Sequence, residues 1–186
     1  MKITLPTAIT IFRILLIPLF VIAFYLPYDW SNLVATIIFT LASVSDWIDG
    51  YLARLLKQES PFGAFLDPVA DKLMVVVAVI LIVQNNPSIY LTLPSIVIVA
   101  REISISALRE WMAELGRRST IQVSMVGKFK TLIQLISLIL LIYENPVADL
   151  PVYEIGLVSY YLAALLTIIS MINYLRAAWP VIVENS

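Results

Sequence analysis

No cysteine and no histidine occur anywhere in the 186 residues. Disulfides, a thiolate nucleophile, an imidazole base and a zinc site of the usual kind are therefore excluded, and proton transfer falls to Asp, Glu, Lys or Tyr. Charge is scarce as well. Only 13% of residues are charged while 61% are hydrophobic, too apolar for an ordinary soluble domain. Repeats, low-complexity tracts and signs of a second domain are missing too. The start, Met1-Lys2-Ile3-Thr4-Leu5-Pro6, lacks the basic region and small-residue cleavage site of a removable signal peptide, and reads as an interfacial lead into a first span. These absences leave one class: an all-α, polytopic membrane domain over residues 1–186.

About 20 apolar residues are needed to cross a bilayer as a helix. The apolar runs predict six spans, over about 8–26, 33–52, 62–83, 91–110, 123–143 and 155–178. Pro27 to Asn32 is a turn with interfacial aromatics at Tyr28 and Trp30. Arg54 to Pro61, Gln84 to Ser88 and Glu144 to Pro151 are the other clear connections. The fourth span continues past Arg101 as a polar helix ending near Gly116. With both termini on one side, all the Lys and Arg residues fall toward that side, Lys2, Arg13, Arg54, Lys72, Arg101, Lys130 and Arg176 among them. The opposite loops hold only Asp29, Glu144, Asp149 and Glu154. Cytoplasmic loops carry the excess of Lys and Arg, so the termini are expected in the cytoplasm.

Against this background, four aspartates stand out at the same cytoplasmic end. Asp46, Asp49, Gly50 and Ala53 share roughly a third of one helical face at about 100° per residue. Gly63, Asp67 and Asp71 follow at i, i+4 and i+8 on the next helix. Two antiparallel helices joined by a short polar loop would bring the four carboxylates together, and the small residues Gly50, Ala53 and Gly63 would let a bulky ligand approach the backbone. An ionised Asp in mid-bilayer costs ~2.5–3.5 kcal/mol on insertion scales, and four also repel one another. Arg54, Lys57 and Lys72 are too few and too mobile to neutralise them. Divalent cations such as Mg²⁺ accept hard carboxylate oxygens and remove that charge, and a carboxylate pair of metals suits phosphoryl transfer. An ion or proton pathway is the competing reading, since it too uses aspartates within the membrane.

A second polar stretch runs from Arg101 to Thr131. Arg117 and Arg118 suit a solvated helix end, with Glu114 and Arg118 paired at i, i+4 and anionic lipid nearby. Arg101 and Arg109 share a face two turns apart and run toward the bilayer, which fits either that simple reading or an anionic pocket. Arg13, one turn from Thr10 in the first span, reads most simply as an arginine whose head snorkels to the lipid headgroups.

The pattern Asp46-x2-Asp49-Gly50-x2-Ala53-Arg54-x8-Gly63-x3-Asp67-x3-Asp71 resembles the signature of the CDP-alcohol phosphotransferases at all eight of its specified positions. The likeness runs essentially end to end, including residues 6–13, 62–72 and 101–118. It implies transfer of a phosphatidyl group from CDP-diacylglycerol to sn-glycerol 3-phosphate with release of CMP, in a bacterial cytoplasmic membrane and facing the cytoplasm. Asp46, Asp49, Asp67 and Asp71 would hold Mg²⁺ or Mn²⁺, as a pair of ions, with Asp71 also the general base. Gly50, Ala53, Arg54, Ser60 and Gly63 would bind the donor, with Thr10 and Arg13 by the nucleotide. A homodimer among membrane lipids is usual in the family, and no nucleic acid takes part. A near-dianionic acceptor beside four carboxylates needs fixed cations: Arg109 and Lys130 first, then Arg101, Lys128 and Arg176. A sibling using another acceptor alcohol, an ion transporter or a non-catalytic scaffold are the alternatives.

Overall fold

The computed structural model describes residues 4–56, 61–117 and 125–184; the side chains at 47, 49–56, 61, 64, 125, 126 and 128 are outside the description. Among the described residues there are six helices: α1 Leu5–Phe24, α2 Ser31–Leu56, α3 Pro61–Asn85, α4 Ile89–Glu114, α5 Met125–Tyr143 and α6 Val152–Glu184. Each predicted span falls within or closely along one of them. The differences lie at the ends. The backbone of α2 carries its helix through Arg54 to Leu56, which the sequence assigns to a loop, and α6 runs on past Ala178.

Local chemistry fixes several boundaries. Thr4 caps α1, its hydroxyl accepting from the Thr7 amide at 3.5 Å, and Pro6 stands in the first turn where no N–H is needed. Ser88 caps α4 the same way, accepting from the Leu91 amide at 3.3 Å. Beyond the end of α4, Gly116 takes φ +68°. This lets the Arg117 amide reach the Met112 carbonyl at 2.9 Å and the Gly116 amide reach Ala113 at 3.1 Å, a Schellman closure.

Among the described residues three helices, α1, α4 and α6, are long and apolar enough to cross a membrane, and Ser31–Asp46 and Phe129–Tyr143 form shorter apolar stretches. Large apolar side chains cover the outside, among them Leu15, Leu19 and Ile22 on α1, Ile96 and Ile103 on α4, and Val158 and Leu165 on α6. Lipid rather than water is the solvent that such a surface fits.

The chain groups into two compact units: residues 1–85 with 138–153, and residues 86–137 with 154–186. In the first, α1 packs against both α2 and α3. Phe20 and Phe39 are fully buried with ring centroids 5.8 Å apart, and the small residues Ala35, Ala42, Ala70 and Ala78 are fully buried in the same unit. Small residues let helix backbones approach closely, which is how apolar helices gain contact energy in lipid. At the far end Tyr25 donates to Gln84 at 2.7 Å, and Asn85 to Glu144 at 3.0 Å. In the second unit α4 and α6 pack through Ile105, Met112, Tyr174, Ala178 and Val181. Their polar contacts ascend together, Ser95 with Tyr160, Arg101 with Ser170 and Arg109 with Tyr174, so these two helices run parallel.

Candidate active site

In the first unit the motif carboxylates meet α1. Arg13 is 1% exposed, and its Nη1 donates to Asp71 Oδ1 at 2.6 Å while lying 2.9 Å from Asp46 Oδ1. One guanidinium nitrogen thus joins α2 to α3. A turn earlier, the Thr10 hydroxyl lies 3.1 Å from the Pro6 carbonyl and donates to Asp67 Oδ1. Thr10 and Arg13 sit three apart on α1, Asp67 and Asp71 four apart on α3, and the two rungs ascend in the same direction. Pro68, inside α3 between the two aspartates, cannot donate to the preceding turn, so the helix carries a missing hydrogen bond beside its acids.

This arrangement corrects one sequence expectation. Arg13 does not snorkel: its head is buried against carboxylates, because a cation inside an apolar bundle gains more from two anions than from a long reach to the headgroups. The pairing depends on how α1 packs against α2 and α3, which no pattern along α1 itself reveals.

Asp46 and Asp71 keep 37% and 48% of their side-chain surface exposed, so both retain a face for a ligand. Asp46, Asp67 and Asp71 alone do not make a three-carboxylate metal cluster; the side chain of Asp49, the fourth member, is outside the described residues. The donor set fits a hard divalent ion. All its members are carboxylate oxygens, and those of Asp46 and Asp71 already converge on a single cationic nitrogen. Of the predicted donor-binding residues, Gly63 is buried early in α3, whereas the side chains of Ala53 and Arg54, with Gly50 and Ser60, lie outside the described residues.

The basic residues of the second unit also come together. Arg101, 8% exposed, donates from Nη2 to Ser170 at 3.1 Å, and its guanidinium stands 5.5 Å from the Tyr174 ring centroid. Arg109 donates to the Tyr174 hydroxyl at 2.7 Å with its guanidinium 5.1 Å from the same ring. Tyr174 thus gathers two guanidiniums through its electron-rich face and its oxygen. Lys130, 1% exposed, pairs with Glu102, whose Oε1 also lies 3.4 Å from Arg101 Nη1. Sequence reasoning missed both Tyr174 and Glu102, although an acid inside an apolar span is itself a functional signal. Arg176 is exposed on α6, and the Lys128 side chain is outside the described residues. Arg117 pairs at 3.5 Å with Glu184, both exposed, as a solvated helix end does.

Comparison with known proteins adds an independent line. A family model described as CDP-alcohol phosphatidyltransferase matches residues 3–175. A relative from Haemophilus influenzae is 53% identical over 188 residues, covering 100% of this chain and 98% of its own length. One from Yersinia pestis is 50% identical over 187 residues, covering 99% and 100%. Another, from Sodalis glossinidius, is 51% identical over 178 residues, covering 96% of each. All three are named CDP-diacylglycerol–glycerol-3-phosphate 3-phosphatidyltransferase.

Proposed function

The chain belongs to the CDP-alcohol phosphatidyltransferase family, and from that premise we propose that it moves a phosphatidyl group from CDP-diacylglycerol to sn-glycerol 3-phosphate, giving phosphatidylglycerophosphate and CMP. The observation that carries this reading is the end-to-end identity of about half with relatives bearing that name. The test is CMP release from CDP-diacylglycerol by the purified protein across a panel of acceptor alcohols. Release with glycerol 3-phosphate is the expected result; release with inositol phosphate or serine alone would assign the chain to a sibling activity.

The residues divide the work. Asp71 takes the proton of the acceptor's primary hydroxyl as its oxygen bonds to the phosphorus carrying diacylglycerol, while the bond from that phosphorus to the CMP oxygen breaks. Arg13 holds Asp71 and Asp46 in register for that step, and Thr10 does the same for Asp67. Asp46, Asp49, Asp67 and Asp71 are the residues that would hold Mg²⁺ or Mn²⁺, which when bound supplies positive charge at the phosphate oxygens. Gly50, Ala53, Arg54, Ser60 and Gly63 fit the nucleotide diphosphate, Arg54 by a bidentate contact. Fixed position and preorganised charge provide most of the acceleration in such transfers.

Arg101, Arg109 and Lys130 are the cations we assign to the acceptor's phosphate, with Lys128 and Arg176 as further candidates. A charge-assisted contact to phosphate is worth ~1.5–3 kcal/mol. Arg109→Gln and Lys130→Met are therefore each expected to raise the acceptor's KM by about ten- to a hundredfold, with donor KM nearly unchanged. Steady-state kinetics with each substrate varied in turn reads this out, and a change confined to the donor would move the phosphate site elsewhere.

All six helices are assigned as spans, in one catalytic domain that works as a homodimer in the bacterial inner membrane. The termini and the aspartates face the cytoplasm by the distribution of Lys and Arg. The absence of native cysteine makes this directly testable. Ser88→Cys and Asp149→Cys are expected to react with an impermeant maleimide on intact cells, and Lys57→Cys and Arg117→Cys only after permeabilisation. Labelling of Lys57→Cys from outside would reverse the orientation.

A further inference from the structure

Glu102 stands among cations, and its geometry is that of a ligand as much as of a strut. Its Oε1 receives the Lys130 ammonium and lies 3.4 Å from Arg101 Nη1, so one carboxylate oxygen serves two buried cations. Arg109 joins them through the shared Tyr174. Three positive charges against one negative leave two, close to the charge of a phosphate monoester dianion at neutral pH. A lysine 1% exposed inside an apolar bundle is costly without an anion beside it, so the cluster needs an internal one whenever no ligand is bound.

Resting on the assignment of Lys130 and Arg101 to the acceptor's phosphate, we infer that Glu102 is a built-in rival of that phosphate. With the site empty, its carboxylate holds Lys130 and Arg101 in place. A phosphate monoester, with more charge and three oxygens to share between the cations, takes over the position of the Glu102 oxygen. After transfer the phosphate is still attached to the lipid product, and Glu102 reclaims the cations as that product leaves. Glu102 thereby sets how tightly the site holds a phosphate monoester, trading affinity for release, without touching the reacting phosphorus.

Glu102→Gln tests this, because it keeps the length and hydrogen-bonding capacity of the side chain and removes only its charge. Acceptor KM is expected to fall about tenfold, and the Kd of inorganic phosphate, measured by calorimetry on the purified protein, should fall with it. The donor KM should hold steady while kcat drops as product release slows. A mere strut predicts the opposite: a lower melting temperature with acceptor KM and phosphate Kd unchanged or raised, and that result overturns the inference. Glu102→Asp, which keeps the charge but draws it back by one methylene, is expected to move both constants in the same direction by a smaller factor. It serves as the test if the glutamine variant does not fold. The parent protein separates the two layers: no CMP release with glycerol 3-phosphate rejects the function itself, whereas an active parent with an unresponsive Glu102→Gln rejects only the role of Glu102.

Discussion

Asp71→Asn is expected to abolish CMP release while leaving CDP-diacylglycerol bound. The asparagine carbonyl can still accept the hydrogen bond that Arg13 Nη1 gives to Asp71 Oδ1 at 2.6 Å, so the tie between α1 and α3 survives the change. What disappears is a basic oxygen able to take the acceptor's proton. General-base catalysis contributes about 10²–10⁴-fold, and loss of a motif carboxylate charge adds to that. Asp46→Ala and Asp67→Ala should behave differently, losing donor binding together with turnover. EDTA applied to the parent should reproduce those two variants rather than Asp71→Asn. The measurement is CMP formation beside equilibrium binding of the donor. Near-normal turnover in Asp71→Asn would remove Asp71 from the role of base and revive the reading of the aspartates as an ion pathway.

Arg13→Met should be nearly as severe, and for a reason that lies in α1 rather than in the aspartate motif. The substitution keeps the apolar stem and removes the one nitrogen that holds both Asp46 and Asp71. The two carboxylates would be left facing each other without that shared cation. Both are part-exposed and can recruit water, so the stability loss should stay near the ~1–3 kcal/mol typical of a polar group deprived of its partner. The chemical loss should be larger, at least a hundredfold in kcat/KM, since a displacement of about 1 Å at a reacting group is enough for that. Arg13→Lys should recover part of the rate, because an ammonium can replace the charge of Nη1 but sits on a shorter stem and lacks the fixed planar geometry of the guanidinium. Wild-type turnover in Arg13→Met would show that the pairing is incidental to the chemistry.

The elements that depend on local pattern were legible in the sequence. Apolar runs bounded by Pro27 to Asn32, Gln84 to Ser88 and Glu144 to Pro151 located the helices, and Gly116 marked the end of α4 because only a residue at ease with φ +68° closes that turn cheaply. The i, i+4 spacing of Asp67 and Asp71 announced a shared face. The partners of those groups were not legible. Whether Arg13 meets lipid headgroups or Asp71 depends on how α1 packs against α3, and no periodicity along α1 encodes that. Glu102 and Tyr174 escaped for the same reason: each matters through a residue on another helix, Lys130 in one case and the two arginines in the other.

The pairing of Arg13 with carboxylates on α2 and α3 also bears on how the protein is made. α1 is synthesised before α2 and α3 and is a helix of the length and composition that crosses a membrane. During translation its arginine reaches the bilayer before Asp46 and Asp71 exist. For that interval the charge carries the insertion cost of an unpartnered cation, ~2.5–3.5 kcal/mol at mid-bilayer and less toward the surface. A tilt or shift of α1 that keeps Arg13 wet would lower that cost until α2 and α3 supply the carboxylates. The same ion pairs that order the finished site also make the seating of α1 conditional on the synthesis of the helices that follow it.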